Sequence, residues 1–499
     1  MSVRARTNQT DRGIGRLRRE PFEAEGVGDP CFGRVRSFKR DVFVNPGQLR
    51  DSFGAVLSHH KHQYFVRDDR GVPSTRSIMA DEDHERPAPS DLAEEAGRSF
   101  AGMSLDDVKD HAFWETQPVG QLKPELDKSG PEGPIDDPMT VDEVKKEGYH
   151  LPPSFEWCTC DVTDKKVNDE VFELLDNNYV EDDDAMFRFQ YSREFLKWVL
   201  QPPGYVKDWH LGVRVVGTGK LVAFITGVPA KLSVKGKKLD LAEINFLCIH
   251  KKLRSKRLAP MLIREITRRI NLSGIWQAAY TAGVVLPKPI GTARYWHRSL
   301  NVKKLVEIGF TSLHNRMTMS QTIKFFRLDK KPATPGIRPM EDKDVPAVTA
   351  LLNNYLKKFA VAPVFDEEET RHHLSMRDGV VYSYVVEDPD KPGKITDFVS
   401  FYSLPSTVIQ SSGGHSTLRA AYSYYTVAGK ADLTRLMEDA LILARQKDFD
   451  VFNCLDLMDN AQFLKDLKFG IGDGNLQYYL YNWRLHNKLG PGDIGLVLT

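Results

Sequence analysis

The feature that most limits the fold is a loose internal echo. LLDNNYV (174–180) returns as LLNNYL (351–356), and GKLVAFITGVP (219–229) returns as GKITDFVSFYSLP (393–405). EINFLCIH (243–250), which precedes a helical pattern, returns as AAYSYYTV (420–427) before LTRLMEDALILAR (433–445). Each copy reads helix, hairpin, strand, turn, helix. Alternation of strand-like and helix-like runs argues for α/β or α+β architecture. Two such copies predict a tandem repeat, with the Lys- and Pro-rich stretch 326–340 as the joint.

The local signals are specific. The pattern predicts an amphipathic helix over 167–180 and two strands over 210–228 around a G-T-G-K turn. A third strand is expected over 240–250. A helix follows from Leu258 to Ile270, with Pro260 in its first turn and Leu262, Ile263, Ile266 and Ile270 on one face. Residues 1–103 have a different texture. Met1 to Arg40 holds ten Lys and Arg against five Asp and Glu, and 70–98 is polar and Pro-punctuated. Such segments bury too little apolar surface to offset their ordering entropy, so a disordered arm is expected. The resulting division is an arm at 1–103, one unit at 104–328 and a second at 329–499.

Charge and cysteine usage narrow the classes. The net charge of +1 gives no bulk attraction to DNA or to an anionic membrane surface. No run of eighteen apolar residues is present, so no membrane-spanning helix is expected, and the first twenty residues lack the apolar core of a secretory signal. Five scattered cysteines without a C-x-x-C pair point to neither a zinc site nor a disulfide framework. A reducing cytosolic location is the expectation, with no metal.

The chemistry concentrates at E-I-N-F-L-C-I-H-K-K-L-R-S-K-R-L-A-P (243–260). An apolar strand runs through a turn bearing His250, Lys251, Lys252, Arg254, Lys256 and Arg257 into a helix start. Exposed amides at a helix N-terminus attract phosphate, and Lys and Arg add to that field. A solvated basic turn is the plainer alternative on charge alone. The corresponding turn in the second copy, AGKAD (428–432), is not basic. One copy is therefore expected to bind a nucleotide and the other to serve another task.

The order of elements resembles the Gcn5-related N-acyltransferase (GNAT) fold, and the motif 243–260 resembles the signature of eukaryotic N-myristoyltransferases. FWETQPV (113–119), NYVEDDDAMFRF (178–189), YTAGVVLPKPIGTARYWHRSLN (280–301) and KFGIGDGNLQYYLYNW (468–483) are similar to further blocks of that family. The resemblance implies two GNAT units behind the arm. It also implies transfer of myristate from myristoyl-CoA, a co-substrate rather than a resident cofactor, to the N-terminal glycine of proteins.

It implies roles for particular residues. Acyl-CoA contacts fall to Phe113, Trp114, Phe246, Leu247, Cys248, Ile249, Arg254, Ser255, Lys256, Arg257, Leu258 and Ala259. The main-chain amides of Phe246 and Leu247 would form an oxyanion hole, which requires a locally irregular strand such as a bulge. The base would be the carboxylate of Thr499, after the apolar run Ile494–Leu498, which reads as a buried strand. Asn245 and Thr281 would hold the amine or relay its proton. Peptide-groove positions fall on Tyr179, Asp182, Asp184, Phe187, Phe189, Tyr191, Tyr295, His297, Ser406, Tyr422, Gly472, Asp473 and Gly474.

Departures from the family pattern are the terminal Thr499, the segment 484–493, Gln190 and Ala112. Cys248 lacks the His and Asp partners of a cysteine nucleophile. Two rivals stay open at this stage: an acyl-CoA transferase acting on lysine or small amines, and a non-catalytic acyl-CoA-binding protein. The basic arm suggests a ribosome as a partner, because nascent N-termini emerge there.

Overall fold

The computed structural model describes residues 112–122, 130–137, 139–182, 185–313, 316–409 and 414–499. The expected disordered arm and Asp184 lie outside these residues.

A four-residue helix α1 (Ala112–Glu115) comes first, then strand β1 (Phe155–Thr159). Helix α2 (Lys165–Asn178) starts where the Asp164 carboxylate accepts the Val167 amide, and it buries Val171, Leu174 and Leu175. Next come β2 (Phe187–Phe189), β3 (His210–Val215), β4 (Leu221–Val234) and β5 (Lys237–Ile249). The β3–β4 turn is the predicted one, with Gly217 and Gly219 at φ of 85° and 67°, a region that L side chains rarely enter. Helix α3 (Leu258–Asn271) leads to β6 (Ala278–Ala282) and β7 (Gly291–Ser299).

The second half opens with β8 (Ile337–Pro339), helix α4 (Val345–Leu356), β9 (Val361–Pro363), β10 (Val381–Glu387) and β11 (Ile395–Ser403). It continues with β12 (Ser406–Val408), β13 (Thr417–Leu418) and β14 (Ala420–Val427). Helix α5 (Leu433–Gln446), β15 (Val451–Leu455) and β16 (Gly470–Tyr481) complete it.

The echo is real at the level of topology. In the first half β3 and β4 are antiparallel, and β5 passes through α3 to the parallel β6. In the second, β10 and β11 are antiparallel, and β14 passes through α5 to the parallel β15. All these strands join one sheet in the order β1-β3-β4-β5-β6-β16-β7-β15-β14-β11-β10-β8. The last strands are exchanged between the halves: β16 pairs with β6 and β7, and β7 pairs with β15. Each half thus closes the other's sheet edge.

Three buried clusters follow. Leu262, Ile266 and Ile270 of α3 pack on Leu211, Val213 and Ile225. Leu436, Met437 and Leu441 of α5 pack on Tyr382, Val399 and Phe452. The third draws on both halves, including Val171, Phe246, Tyr402 and Tyr425, and takes in Ile494, Leu496 and Val497 of the tail. At roughly 25 cal/mol per Å² of apolar surface, this shared cluster welds the halves together.

The tail corrects one expectation. Ile494–Val497 is buried and Leu498 half-buried, but the run does not form a strand: a single parallel bridge joins Ile494 to Val361, and the Gly495 amide donates to the Val361 carbonyl at 2.7 Å. The divergent segment 484–493 is itself well anchored. Arg484 exchanges main-chain bonds with Gly133, Leu489 donates to Ile290 at 2.7 Å, and Asp493 accepts from Ala360 at 2.8 Å.

Candidate active site

The site is built around an irregularity in β5. Phe224 faces Cys248 and Thr226 faces Asn245, so Phe246 and Leu247 together stand opposite Ile225. This is the expected bulge. Phe246 has φ of 55°, left-handed for a residue with a Cβ, and its ring is fully buried. The rings of Tyr191 and Tyr179 hold it, with centroids at 5.0 and 6.0 Å.

One side chain ties the bulge to the tail. Asn245 Nδ2 donates to a Thr499 carboxyl oxygen at 2.6 Å, while Asn245 Oδ1 accepts from the Phe246 amide at 3.1 Å. An ionised carboxylate only accepts and an amide N–H only donates, so both bonds demand the same orientation of the Asn245 amide. The Thr226 hydroxyl donates to the Asn245 carbonyl at 3.2 Å. Upstream in the tail, the buried Val497 amide donates to Tyr425 Oη at 3.3 Å. Thr281 lies on β6 opposite Tyr478.

Glu243 lies two residues before Asn245 on β5, a position sequence reasoning passed over. Burial pushes its carboxyl up to about 7, and Tyr424, Tyr425 and Tyr478 all feel its charge. Cys248 is buried with its thiol against the Leu174 carbonyl, and burial raises it to about 12, which leaves it unreactive. Ile249 is a core residue.

The basic turn is not an open loop. Residues Lys251–Lys256, with Arg254 and Ser255 among them, form a 3₁₀ helix. Arg257 then enters α3 with φ of 57° and makes no side-chain cap, and Leu258 and Ala259 begin the helix. Asn178, at the end of α2, holds this turn: its Oδ1 accepts the Lys251 amide at 3.0 Å, and its carbonyl accepts from the Arg254 guanidinium. Sequence reasoning missed that role, although Asn178 stands inside a quoted motif. Phe113 and Trp114 flank the same region. Trp114 stacks on Tyr280 at 5.8 Å, and the Arg264 guanidinium of α3 lies 5.7 Å from the centre of the Phe113 ring.

The predicted groove residues come together. Phe189 contacts Tyr191 and Tyr422, and Tyr422 contacts Tyr295. Ser406 on β12 pairs with Phe189 on β2. Phe187 and His297 both pack on Phe310, a contact residue the sequence did not reveal. Burial holds His297 below its ordinary pKa, and its Nδ1 bonds to Asn453 at 2.7 Å. Gly472, Asp473 and Gly474 lie where β16 slips register against β7, with Asp473 exposed. In the acidic loop, Asp182 accepts the Met186 and Phe187 amides at 2.8 and 2.6 Å, which shapes the chain there. Glu181 reaches Lys251 at 2.7 Å, so acidic loop and basic turn are joined.

The chain's resemblances are consistent. The family description "Myristoyl-CoA:protein N-myristoyltransferase, N-terminal domain" matches residues 134–293, and the corresponding C-terminal domain matches 307–497. Glycylpeptide N-tetradecanoyltransferase 1 of Arabidopsis thaliana is 58% identical over 395 residues, 79% of this chain and 91% of its own length. Glycylpeptide N-tetradecanoyltransferase 2 of Danio rerio is 52% identical over 397 residues, 79% of each chain. The crystal structure of Saccharomyces cerevisiae N-myristoyltransferase with bound myristoyl-CoA aligns with a TM-score of 0.74 at 44% identity, covering 78% of this chain and all of that one.

Proposed function

The chain belongs to the myristoyl-CoA:protein N-myristoyltransferase family, and we propose that it performs the transfer by direct attack, with Thr499 as base and the Phe246–Leu247 bulge as oxyanion hole. The enzyme moves myristate from myristoyl-CoA to the N-terminal glycine amine of proteins. The single observation that carries the mechanism is the Asn245 amide, bonded at once to the Thr499 carboxylate and to the Phe246 N–H.

The incoming α-amine has a pKa of about 7.7–8, so it arrives largely protonated and must lose a proton. The Thr499 carboxylate takes it, held in place by Asn245, and Thr281 on β6 is assigned to the relay of that proton. The freed nitrogen attacks the thioester carbonyl. Negative charge grows on that oxygen, and the bulge amides receive it. The oxygen must compete with Asn245 Oδ1 for the Phe246 N–H. Giving up one neutral hydrogen bond costs about 1 kcal/mol, whereas an oxyanion-hole donor contributes about 3–4 kcal/mol. The exchange favours the transition state. That attack forms the C–N bond and leaves the nitrogen positively charged; as the oxyanion collapses the C–S bond breaks, and the departing CoA thiolate takes up the proton that the nitrogen gives up.

Acyl-CoA binding falls to the first unit. Arg254, Ser255, Lys256, Arg257, Leu258 and Ala259 receive the phosphates at the start of α3, and Phe113 and Trp114 flank them. The peptide lies along the aromatic groove of Tyr179, Phe187, Phe189, Tyr191, Tyr295, His297, Ser406 and Tyr422, mainly against the second unit and beside Gly472, Asp473 and Gly474. Asp182 and Asp184 draw basic residues of the peptide toward it. The expected setting is the cytosol. The basic stretch 1–40 adds a further proposed partner, the ribosome, resting on its charge alone.

The test is transfer of labelled myristate to a Gly-initiated octapeptide and to its Ala-initiated twin. Turnover is expected only on the first. Deleting Leu498 and Thr499 is expected to abolish turnover while myristoyl-CoA affinity is retained. Persistent turnover in the truncated enzyme overturns the assignment of the base.

A further inference from the structure

Away from this site, two thiols meet at the sheet edge. Cys158 lies on β1 and Cys160 just past its end, so the i, i+2 spacing puts both on one face. Their sulfurs are 3.9 Å apart. The space is made by the neighbouring strand: Cys158 pairs with Gly212, where an added Cβ would lie 2.6 Å from Cys160 Sγ and 2.8 Å from Cys158 Sγ. Cys160 is fully buried, whereas Cys158 keeps partial access to solvent.

The surroundings distinguish the two sulfurs. Arg214 stands two residues beyond Gly212 on β3, and Arg269 of α3 reaches Thr159, the residue between the cysteines, at 3.4 Å. The Cys160 S–H and the two guanidinium groups hold the Cys158 thiol below its ordinary pKa, against the opposing effect of burial. Cys160 is pushed up by Cys158 and by burial. Cys158, the more accessible of the two, is therefore the sulfur that ionises more readily and that a solute can reach. Both guanidinium groups are themselves paired, Arg214 with Glu170 at 2.5 Å and Arg269 with Glu265 at 2.9 Å, and the positive field they keep favours the ionised form of Cys158 that attacks a peroxide.

We propose that Cys158 and Cys160 form a peroxide-sensitive dithiol in which Cys158 is the attacked sulfur and Cys160 resolves it to an intrachain disulfide. The Cys158 thiolate attacks one oxygen of hydrogen peroxide. The O–O bond breaks, hydroxide leaves, and Cys158 becomes a sulfenic acid. Cys160 then attacks that sulfur; the S–O bond breaks, and the leaving hydroxide takes the Cys160 proton and departs as water. Sulfur is oxidised and peroxide reduced, two electrons in all. Closure brings the sulfurs from 3.9 Å to about 2.05 Å. β1 can accommodate the movement because it is an edge strand, hydrogen-bonded within the sheet to β3 alone.

The test uses the full chain carrying Cys31→Ser, treated with hydrogen peroxide and read by intact mass and peptide mapping. The expected result is a loss of two hydrogens (about 2 Da), a cross-link within 158–160 and reversal by dithiothreitol. Cys160→Ser is expected to arrest oxidation at a dimedone-reactive sulfenic acid on Cys158, and Cys158→Ser to leave Cys160 unoxidised. The buried Cys248 and Cys454 serve as internal controls. Irreversible oxygen addition at Cys158 without consumption of Cys160 overturns the proposal, as does an unreacted pair.

Discussion

Gly472 and His297 are in such close apposition that a Cβ on the glycine would lie 2.4 Å from His297 Nε2, and 2.8 Å from the Tyr295 carbonyl. The carbonyl belongs to β7 and cannot swing aside. Gly472→Ala is therefore expected to displace His297 and Tyr295, both in the proposed peptide groove. Overpacking of this kind costs about 1–3 kcal/mol. The peptide KM should rise about 5- to 150-fold, with myristoyl-CoA affinity, measured by calorimetry, unchanged.

The tail is tethered above its terminus as well as at it. Tyr425 Oη accepts the Val497 N–H in a fully buried setting. Tyr425→Phe leaves that N–H without its partner, at about 1–2 kcal/mol. A looser tail holds the Thr499 carboxylate less firmly, so kcat should fall about 5- to 30-fold. Steady-state kinetics with saturating myristoyl-CoA checks this. An unchanged kcat would show that Asn245 alone suffices to place the carboxylate.

Much of this was legible in the sequence because it is local. The helices around Leu174 and Leu441 carry their apolar period in the chain itself, and the G-T-G-K hairpin carries its own turn chemistry. The oxyanion hole that the family resemblance implies requires an irregular strand at Phe246 and Leu247, and β5 does shift register there. What was not legible depends on partners distant in sequence. Nothing in 470–481 announces that β16 inserts between β6 and β7. The apolar tail read as a strand because its residues suit one, but only Ile494 finds a bridging partner. Asn178 and Tyr425 acquire their roles from neighbours more than seventy residues away, and Phe310 from the distant Phe187 as well as from His297. The Cys158–Cys160 contact is not legible because a C-x-C spacing does not by itself bring two thiols together; Gly212, which makes room for both sulfurs, sits on another strand.

Glu243 makes stability depend on pH in a definite direction. Burial raises its folded pKa to about 7 from an ordinary 4.5. The folded chain therefore keeps a proton that the unfolded chain releases. The stabilisation is complete below about pH 4.5 and is lost as pH rises through 7, on the order of 3 kcal/mol in all. The groups around it, Tyr424, Tyr425 and Tyr478, stay neutral in this range because burial raises them too. Glu243→Gln mimics the protonated form. The difference in Tm between the variant and the parent should widen by about 4 °C from pH 5 to pH 8 for a body of this size, as differential scanning calorimetry would record. A constant difference would mean that Glu243 does not hold the proton.

Asn245 allows the sharpest test of the proposed base, because its amide serves an acceptor and a donor at once. Asn245→Asp keeps the shape and the oxygen facing the Phe246 amide but replaces the donor facing Thr499 by a second acceptor. Two carboxylates in that position repel. The pair then either shares a proton or moves apart. A shared proton raises the pH at which the base becomes free, so the kcat–pH profile should shift its acid limb upward. Separation instead lowers kcat at every pH, by the 1.5–3 kcal/mol typical of a hydrogen bond to a charged group, roughly 10- to 150-fold. Asn245→Leu removes the donor without adding charge; it should lower kcat and raise the acid limb, but by less than a second carboxylate sharing the proton does. Both variants leave the basic turn at 251–257 intact, so myristoyl-CoA affinity should match the parent's. If Asn245→Asp retains both the parent's kcat and its pH profile, the Thr499 carboxylate is not the group that takes the glycine proton.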